Sequence, residues 1–252
     1  MIKRLSFVLR LWDGFRNRAL TGSEASIWVD GGKYPHEYKP NGYFAVADLD
    51  EGEYSVAVKS PIFQTESVTI RVGGSEDPIR YLTLNPSEAH PGALHFPRIA
   101  GRAVGVGELY IMRTRRGLKI AEDTAEAGST SVKLFCGGAR PQFPSAFRIV
   151  DKTSSHSEIV TLRCVDGEIY GLGKPLAFSY PRGSAVIPLI RLLCAENGDF
   201  FFVVPPEFRP DRDGKIKLGV LAENDGIFEE SEWIVPSSGK TELGELNRKK
   251  GE

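Results

Sequence analysis

The chain has 252 residues, of which 41% are hydrophobic and 26% are charged, so it can bury a sizeable apolar core. Its 32 basic and 33 acidic side chains leave a formal net charge of −1, which excludes a long-range electrostatic attraction to nucleic acid or to an anionic membrane. Arg10 and Asp13 interrupt the N-terminal apolar stretch, and no window approaches roughly 18 apolar residues, so we expect neither a signal peptide nor a membrane span.

Short alternating apolar runs, separated by turn residues, fill the first third of the chain. We predict strands over 4–12, 25–29, 43–46, 53–59, 65–72 and 79–84. The turn signals between these strands include Asn41-Gly42. Strands at this spacing predict an antiparallel β-sandwich over residues 1–84, in which 66–72 is an exposed edge strand that could accept a strand from a partner.

The next segments differ in character from the first. Residues 85–97 contain three prolines and little periodicity, which predicts a linker. Apolar alternation resumes over 98–112, which predicts the first strand of a second module. Residues 113–190 contain further short strands and predict a small β-barrel or sandwich, and within them only the run 120–127 (IAEDTAEA) favours a helix.

Two segments of the chain show the same order of features, which indicates an internal repeat. Residues 41–84 and 197–246 both begin with Asn-Gly and an alternating apolar run, and both continue through a glycine into a second alternating run. Because 98–112 precedes the unit 113–190 and 191–247 follows it, we predict that this unit is inserted into the second copy of the repeat; the alternative is a separate middle domain in line. The chain is therefore predicted to be all-β.

The first module resembles the carboxypeptidase regulatory-like, or transthyretin-like, β-sandwich family. The resemblance covers about 80 residues and is carried by FVLRL at 7–11, SIWV at 26–29, NGYFAV at 41–46 and GEYSVAV at 52–58. Residues 191–247 with 98–112 look like a weaker copy, in which Ile216 stands where the family has a tyrosine. The resemblance implies two transthyretin-like or Ig-like sandwich modules, and it implies no particular function, because such modules serve as spacers, stabilisers and docking units.

The middle unit resembles β domains of phage-tail and contractile-injection-particle proteins. The matching stretches are Ala127–Thr130, Ile149–Asp151, Glu158–Val160, Leu172–Leu176 and Tyr180–Val186. This resemblance implies a structural part of a particle that is assembled in the cytoplasm and released by lysis. It brings no catalytic residues with it.

No combination of residues is specific for catalysis, for a metal or for a cofactor, so we expect none of the three. His90 and His95 are five residues apart in the proline-rich segment, which is not a metal-ligand spacing, and we expect both in a solvated loop. The three cysteines are expected to be reduced core residues, because their number is odd and their spacing is wide: Cys136, Cys164 and Cys194.

Aromatic residues of the first module are the candidate binding residues. Trp12 is out of phase with the apolar alternation of its strand, and Trp28 lies between two apolar neighbours, so both are expected to point away from the core. With Tyr34 and Tyr38 they could form an interface or a surface on which a sugar stacks.

The sequence therefore favours a non-enzymatic structural or adaptor component of a phage-tail-like contractile injection particle. Its expected partners are other subunits of a protein assembly, which would dock through sheet edges and loops. The alternative is a carbohydrate-binding or cell-surface-binding β-sandwich module, with a surface glycan as its partner. A glycan array and co-purification with tail proteins distinguish the two hypotheses.

Overall fold

The structure is a computed structural model, and it describes residues 4–74, 78–105, 108–113, 118–137, 145–153, 155–224 and 227–247. Its strands, in chain order, are β1 Leu5–Asp13, β2 Arg18–Ala19, β3 Ser26–Val29, β4 Gly32–Lys33, β5 Glu37–Lys39, β6 Tyr43–Ala47, β7 Gly52–Lys59, β8 Glu66–Val72, β9 Ile79–Leu84, β10 Arg98–Val104, β11 Glu108–Met112, β12 Leu118–Ile120, β13 Thr124–Ala125, β14 Ser131–Cys136, β15 Ser145–Val150, β16 Ser157–Asp166, β17 Ile169–Leu172, β18 Tyr180–Pro181, β19 Ala185–Leu192, β20 Asp199–Val203, β21 Lys215–Asn224, β22 Ile227–Pro236 and β23 Lys240–Asn247. A short 3-10 helix, Pro91–Leu94, is the only helical element among the described residues. The predicted all-β fold class is confirmed.

The chain divides into two compact units. The first comprises residues 1–104, 193–216 and 235–246, and the second comprises 105–192, 217–234 and 247–252. Both halves of the predicted second module thus contribute to both units. The segment boundaries predicted from the sequence stay predictions.

The first unit begins with a β-sandwich. One sheet has the order β2-β1-β6-β5, with β9 parallel to β1 on its other side, and the second sheet has the order β4-β3-β7-β8. Alternate residues of both sheets meet in one apolar core, which includes Leu9, Phe44, Ile27, Val56 and Ile70. This packing follows from the period-two apolar pattern, because one buried face on each sheet is what a sandwich requires.

The rest of the first unit holds a three-stranded sheet with the order β20-β10-β23 and the segment 85–97. That segment is packed against the unit, because Asn85 accepts a backbone hydrogen bond from Gln64 and Pro97 accepts one from Val204. His90 is buried at the start of the 3-10 helix, where its Nδ1 accepts a hydrogen bond from the Gly92 N–H at 3.0 Å. The expectation that His90 lies in a solvated loop is therefore wrong.

The second unit contains a closed six-stranded barrel. Its strand order is β12-β14-β17-β16-β15-β19, and the pairing of β12 with β19 closes it. Inward side chains fill the interior, among them Leu134, Phe147, Leu162 and Tyr170. The strand β19 continues beyond the barrel and pairs with β11, which is followed in the same sheet by β21 and β22.

The order of the paired strands in the first sandwich recurs in the parts of the chain predicted to form a second copy, and the internal repeat stays a prediction. In the first copy β1 lies between β6 and β9, and a second sheet runs β4-β3-β7-β8. In the second copy β10 lies between β20 and β23, and the matching order is β19-β11-β21-β22. The bridge between Cys194 and Phe200 corresponds to the pairing of β5 with β6. The barrel lies between β11 and β19, where the first copy has the tight β3–β4 connection.

Three local features differ from the sequence pattern. The run 120–127, whose composition favours a helix, contains the end of β12, a turn and β13. Ile120 pairs with Leu134 of β14, and β13 pairs with β18, and these pairings override the weak helix propensity. The segment 98–112 forms two strands, because Gly105 adopts φ +68° and ends the first. Cys194 is exposed and Cys136 is half-buried, so neither is a core residue, and the side chain of Cys164 lies outside the described residues.

Candidate docking surface

The outer face of the β1 sheet carries aromatic and cationic side chains at adjacent positions. Along β1, Phe7, Leu9 and Leu11 are buried in the core, and the alternate residues Arg10 and Trp12 point away from it. This orientation follows from the period of two in a strand, which sends successive side chains to opposite faces. The prediction that Trp12 points outward is confirmed.

Arg10 lies between two tyrosines that neighbouring strands supply. Its Cα is paired with Tyr43 of β6 on one side and with Tyr81 of β9 on the other. The guanidinium carbon lies 4.9 Å from the centre of the Tyr43 ring and 5.9 Å from that of Tyr81. Each such cation–π contact contributes about 0.5–1 kcal/mol at an exposed site, so the three side chains hold one another in place.

Trp12 extends this row towards the end of β1. It pairs with Ala19 of β2 and with Thr83 of β9, and its indole Nε1–H donates to Oδ1 of Asn17 at 3.3 Å. The ring is half-buried, so its orientation is fixed while part of its surface faces solvent. We call Arg10, Trp12, Tyr43 and Tyr81 the aromatic face.

The other three predicted site residues lie elsewhere. Trp28 points outward as predicted, but from β3 in the opposite sheet, where its Nε1–H donates to Ser26 Oγ at 3.2 Å and the Lys59 ammonium lies 3.7 Å from its ring centre. Tyr34 packs against the core and its hydroxyl donates to the Ala47 carbonyl at 3.3 Å. Tyr38 packs edge-on against the buried Phe44. The four residues therefore do not form one stacking surface.

Sequence reasoning missed three of the four residues of the aromatic face. Arg10 and Tyr43 lie at outward positions of alternating strands, and Tyr81 is paired with Arg10 on β9, along which burial does not alternate. The parity of β1 and β6 alone would have placed Arg10 and Tyr43 on an outer face. Their adjacency depends on which strands pair, and on the parallel register of β1 with β9, which no local pattern encodes.

A cleft of about 910 Å³ lies elsewhere in the first unit. Its apolar wall is formed by Phe200, whose ring lies so close to Gly101 that an added Cβ would approach it to 2.8 Å. Gln64 spans one side, with its Nε2 donating to the carbonyls of Pro86 at 2.8 Å and Phe201 at 2.9 Å. The exposed thiol of Cys194 also lines the cleft.

Both cations that line the cleft, Lys240 and Arg102, are paired with carboxylates. Lys240 lies 3.0 Å from a Glu242 oxygen and 3.3 Å from a Glu88 oxygen, and hydrogen bonds to these two carboxylates raise the pKa of its ammonium. Arg102 lies 3.7 Å from Asp199. No histidine lines this cleft, and in the described part of the chain no three side chains of the metal-ligating types come together. The groups present can hold a polar ligand.

No protein-family model matches the chain, and no curated protein sequence matches it. The resemblances to the carboxypeptidase regulatory-like family and to phage-tail domains therefore stay predictions. In the ranges that the structure describes, no helix has the length and apolar character needed to cross a membrane.

Two solved structures show a distant likeness to the chain. The major pilin subunit BcpA of Bacillus cereus aligns with 93% of this chain and 69% of its own, at 9% identity and a TM-score of 0.26. The Bacillus anthracis TIE protein aligns with 98% of this chain, at 11% identity and a TM-score of 0.27, and this chain covers 50% of that protein. At these scores the alignments indicate nothing about function, which is argued below from the residues alone.

Proposed function

We propose that this protein is a non-enzymatic structural or adaptor subunit that binds other subunits of a protein assembly through the aromatic face. The observation that carries the proposal is the row Tyr81–Arg10–Tyr43, with Trp12 beside it, on the outer face of a sheet. Tryptophan, tyrosine and arginine are the residue types that contribute most to binding energy at protein interfaces.

The order of this face favours binding. A tyrosine or tryptophan has only two side-chain torsions to fix, and here the contacts with Arg10 and the Trp12–Asn17 hydrogen bond already fix them. A partner that covers the face therefore has little side-chain entropy left to remove, and this cost is about 0.5–1.5 kcal/mol for each side chain that binding must immobilise.

The finer proposal is that the assembly is a phage-tail-like contractile injection particle. It is supported by the sequence resemblance of residues 127–186 to β domains of such particles. On this proposal the protein is cytoplasmic during assembly and leaves the cell with the particle on lysis.

A second candidate function is carbohydrate binding at the same face. Its support is the partly exposed indole of Trp12 in the same strand as the donor-rich guanidinium of Arg10. An aromatic ring can stack on the apolar side of a sugar while a guanidinium donates to its hydroxyls.

The test compares tryptophans on opposite sheets. Trp12→Ala and Arg10→Ala should abolish co-purification with particle subunits from the producing cells, whereas the matched control Trp28→Ala should not. Gold label on the tagged protein, viewed by negative-stain electron microscopy, should lie at a fixed place on a tail-like tube. Free monomeric protein with no labelled particle contradicts the assembly proposal, and glycan-array binding that Trp12→Ala removes would establish the second candidate.

A further inference from the structure

The edges of the sheets differ in how they are protected against pairing. The edge strand β22 carries Glu229, Glu230 and Glu232, which disfavour the approach of another strand. The edge strand β23 is interrupted by Gly244 at φ +69°. Exposed charges and local backbone irregularities are the usual means by which a soluble protein keeps an edge unpaired.

The strand β8 is less protected, because its backbone is regular and its other charged residue, Glu66, is buried. It is the longest edge strand of the first sandwich, with 7 residues, and within the described residues its hydrogen-bonded neighbour is β7 alone. All 7 residues are in register with β7, which keeps the strand straight. Its sequence, ESVTIRV, is rich in β-branched residues, and Arg71 is its one exposed charge. Such a strand is a template for a further strand.

We propose that β8 pairs with β8 of a second copy of this chain, antiparallel and about a two-fold axis at Thr69. This register pairs every residue of the strand, with Thr69 opposite itself and Arg71 opposite Ser67. Both positions lie on the exposed face, where a Thr–Thr pair is favourable and the two arginines do not face each other. On the core face Val68 lies opposite Ile70, so the two apolar cores continue into one another.

The burial and charge pattern of β8 is self-complementary in this register, which pairs all seven residues of the strand. Centring the pair on Arg71 would place two guanidinium groups opposite each other, which is destabilising. A shift by one residue relative to β8 of the other copy would place Ile70 opposite a residue of the exposed face. The pairing joins two sheets of four strands into one continuous sheet. It uses the sheet opposite the aromatic face, so the inference does not depend on the proposed function.

The experiment is a disulfide trap in a background in which all three native cysteines, Cys136, Cys164 and Cys194, are replaced by serine. Residues opposite each other in an antiparallel pair have Cα atoms about 4.5–5.5 Å apart, within the range for a disulfide. Thr69→Cys should therefore give a covalent dimer under mild oxidation. The control is Ser55→Cys, because Ser55 is exposed on β7 directly opposite Thr69, and the two copies of it would be about 14 Å apart.

Sedimentation equilibrium of the full chain gives the second measurement. The wild type should dimerise, and Thr69→Lys, which places two ammonium groups face to face, should weaken the dimer by about tenfold or more. Ser55→Lys should leave it unchanged. A monomeric wild type, trapping at Ser55 equal to that at Thr69, or a dimer that Thr69→Lys leaves intact would each overturn the proposal.

Discussion

Replacement of the glycines of the two Asn-Gly turns, Gly42 and Gly198, tests the fold at two constrained points. Gly42 adopts φ +79° and its carbonyl accepts a hydrogen bond from Leu11 N–H at 2.8 Å. Gly198 adopts φ +85°, and its carbonyl accepts one from Ala103 N–H at 2.9 Å. A Cβ at Gly42 would lie 2.5 Å from the Leu11 carbonyl oxygen, and one at Gly198 would lie 2.4 Å from that of Ala103. Both positions therefore require glycine for conformation and for space.

The stability lost on substitution by alanine can be separated into a conformational and a steric contribution. Gly31 adopts φ +81°, and an added Cβ there would meet nothing within 4 Å. Gly31→Ala should thus measure the left-handed backbone cost of about 1–2 kcal/mol, less about 0.4–1 kcal/mol that alanine removes from the unfolded-state entropy. Gly42→Ala adds an overpacking cost of about 1–3 kcal/mol, because the opposing atom belongs to the backbone of a central strand. We expect losses of about 1 kcal/mol for Gly31→Ala and about 2–4 kcal/mol for Gly42→Ala.

The assay is urea unfolding followed by tryptophan fluorescence for Gly42→Ala and Gly31→Ala, since Trp12 and Trp28 both lie in the first sandwich. Amide hydrogen exchange at Leu11 and Ala103 reports the two turns separately. Loss of protection at Leu11 in Gly42→Ala, and at Ala103 in Gly198→Ala, should accompany the loss of stability. Equal destabilisation by Gly42→Ala and Gly31→Ala would refute the argument that the close carbonyl, rather than φ alone, demands glycine.

Three further predictions concern buried charge and protonation. Burial lowers the pKa of His90 below its ordinary 6.5. Its neutral form therefore contributes stability that is present above about pH 6.5 and is lost as the pH falls towards the folded-state pKa. His90→Gln should reduce the fall in the urea midpoint between about pH 7.5 and about pH 5, and the exposed control His95→Gln should not. The hydrogen bond from Arg18 lowers the pKa of Glu24 to about 2 from 4.5. Glu24→Gln should therefore cost about 1 kcal/mol at neutral pH, and this cost should shrink below about pH 4.5 and disappear as the pH falls through about 2, as measured by thermal unfolding across that range. The Arg148 side chain is 9% exposed and pairs with Glu230, which is 56% exposed. Glu230→Ala leaves the guanidinium buried without its carboxylate and should lower the free energy of unfolding by about 2–3 kcal/mol, more than Arg148→Met does. A larger loss for Arg148→Met would contradict the buried-charge argument.

Strand parity accounts for what the sequence predicted correctly. The alternation of β1 and β3 placed Trp12 and Trp28 on outward faces, because a sandwich strand has one buried side. The repeated Asn-Gly also identified corresponding turns, since both glycines occupy positions that demand positive φ. These features are local, and local physical chemistry decides them.

The errors share a different cause. Trp12 and Trp28 both point away from the core, but they belong to opposite sheets of the sandwich. Whether they lie on one surface therefore depends on which strands pair. His90 lies in a segment with the composition of a solvated loop, and it is buried because Phe15 and Phe63 pack against its ring, at centroid distances of 5.4 and 5.3 Å. Contacts between residues so far apart in sequence decide these cases, and no window of the chain contains both partners.

The predicted second copy of the module contains a long strand that is shared with the barrel. In the first copy the strand β4 has 2 residues, whereas the corresponding β19 has 8. Residues 185–188 of β19 pair with β12 or β15 inside the barrel, and residues 189–192 pair with β11. One continuous strand thus belongs to both the barrel and the repeated module. Because a strand cannot slip by one residue without turning its buried side chains outward, the barrel and the β11 sheet fix each other's register.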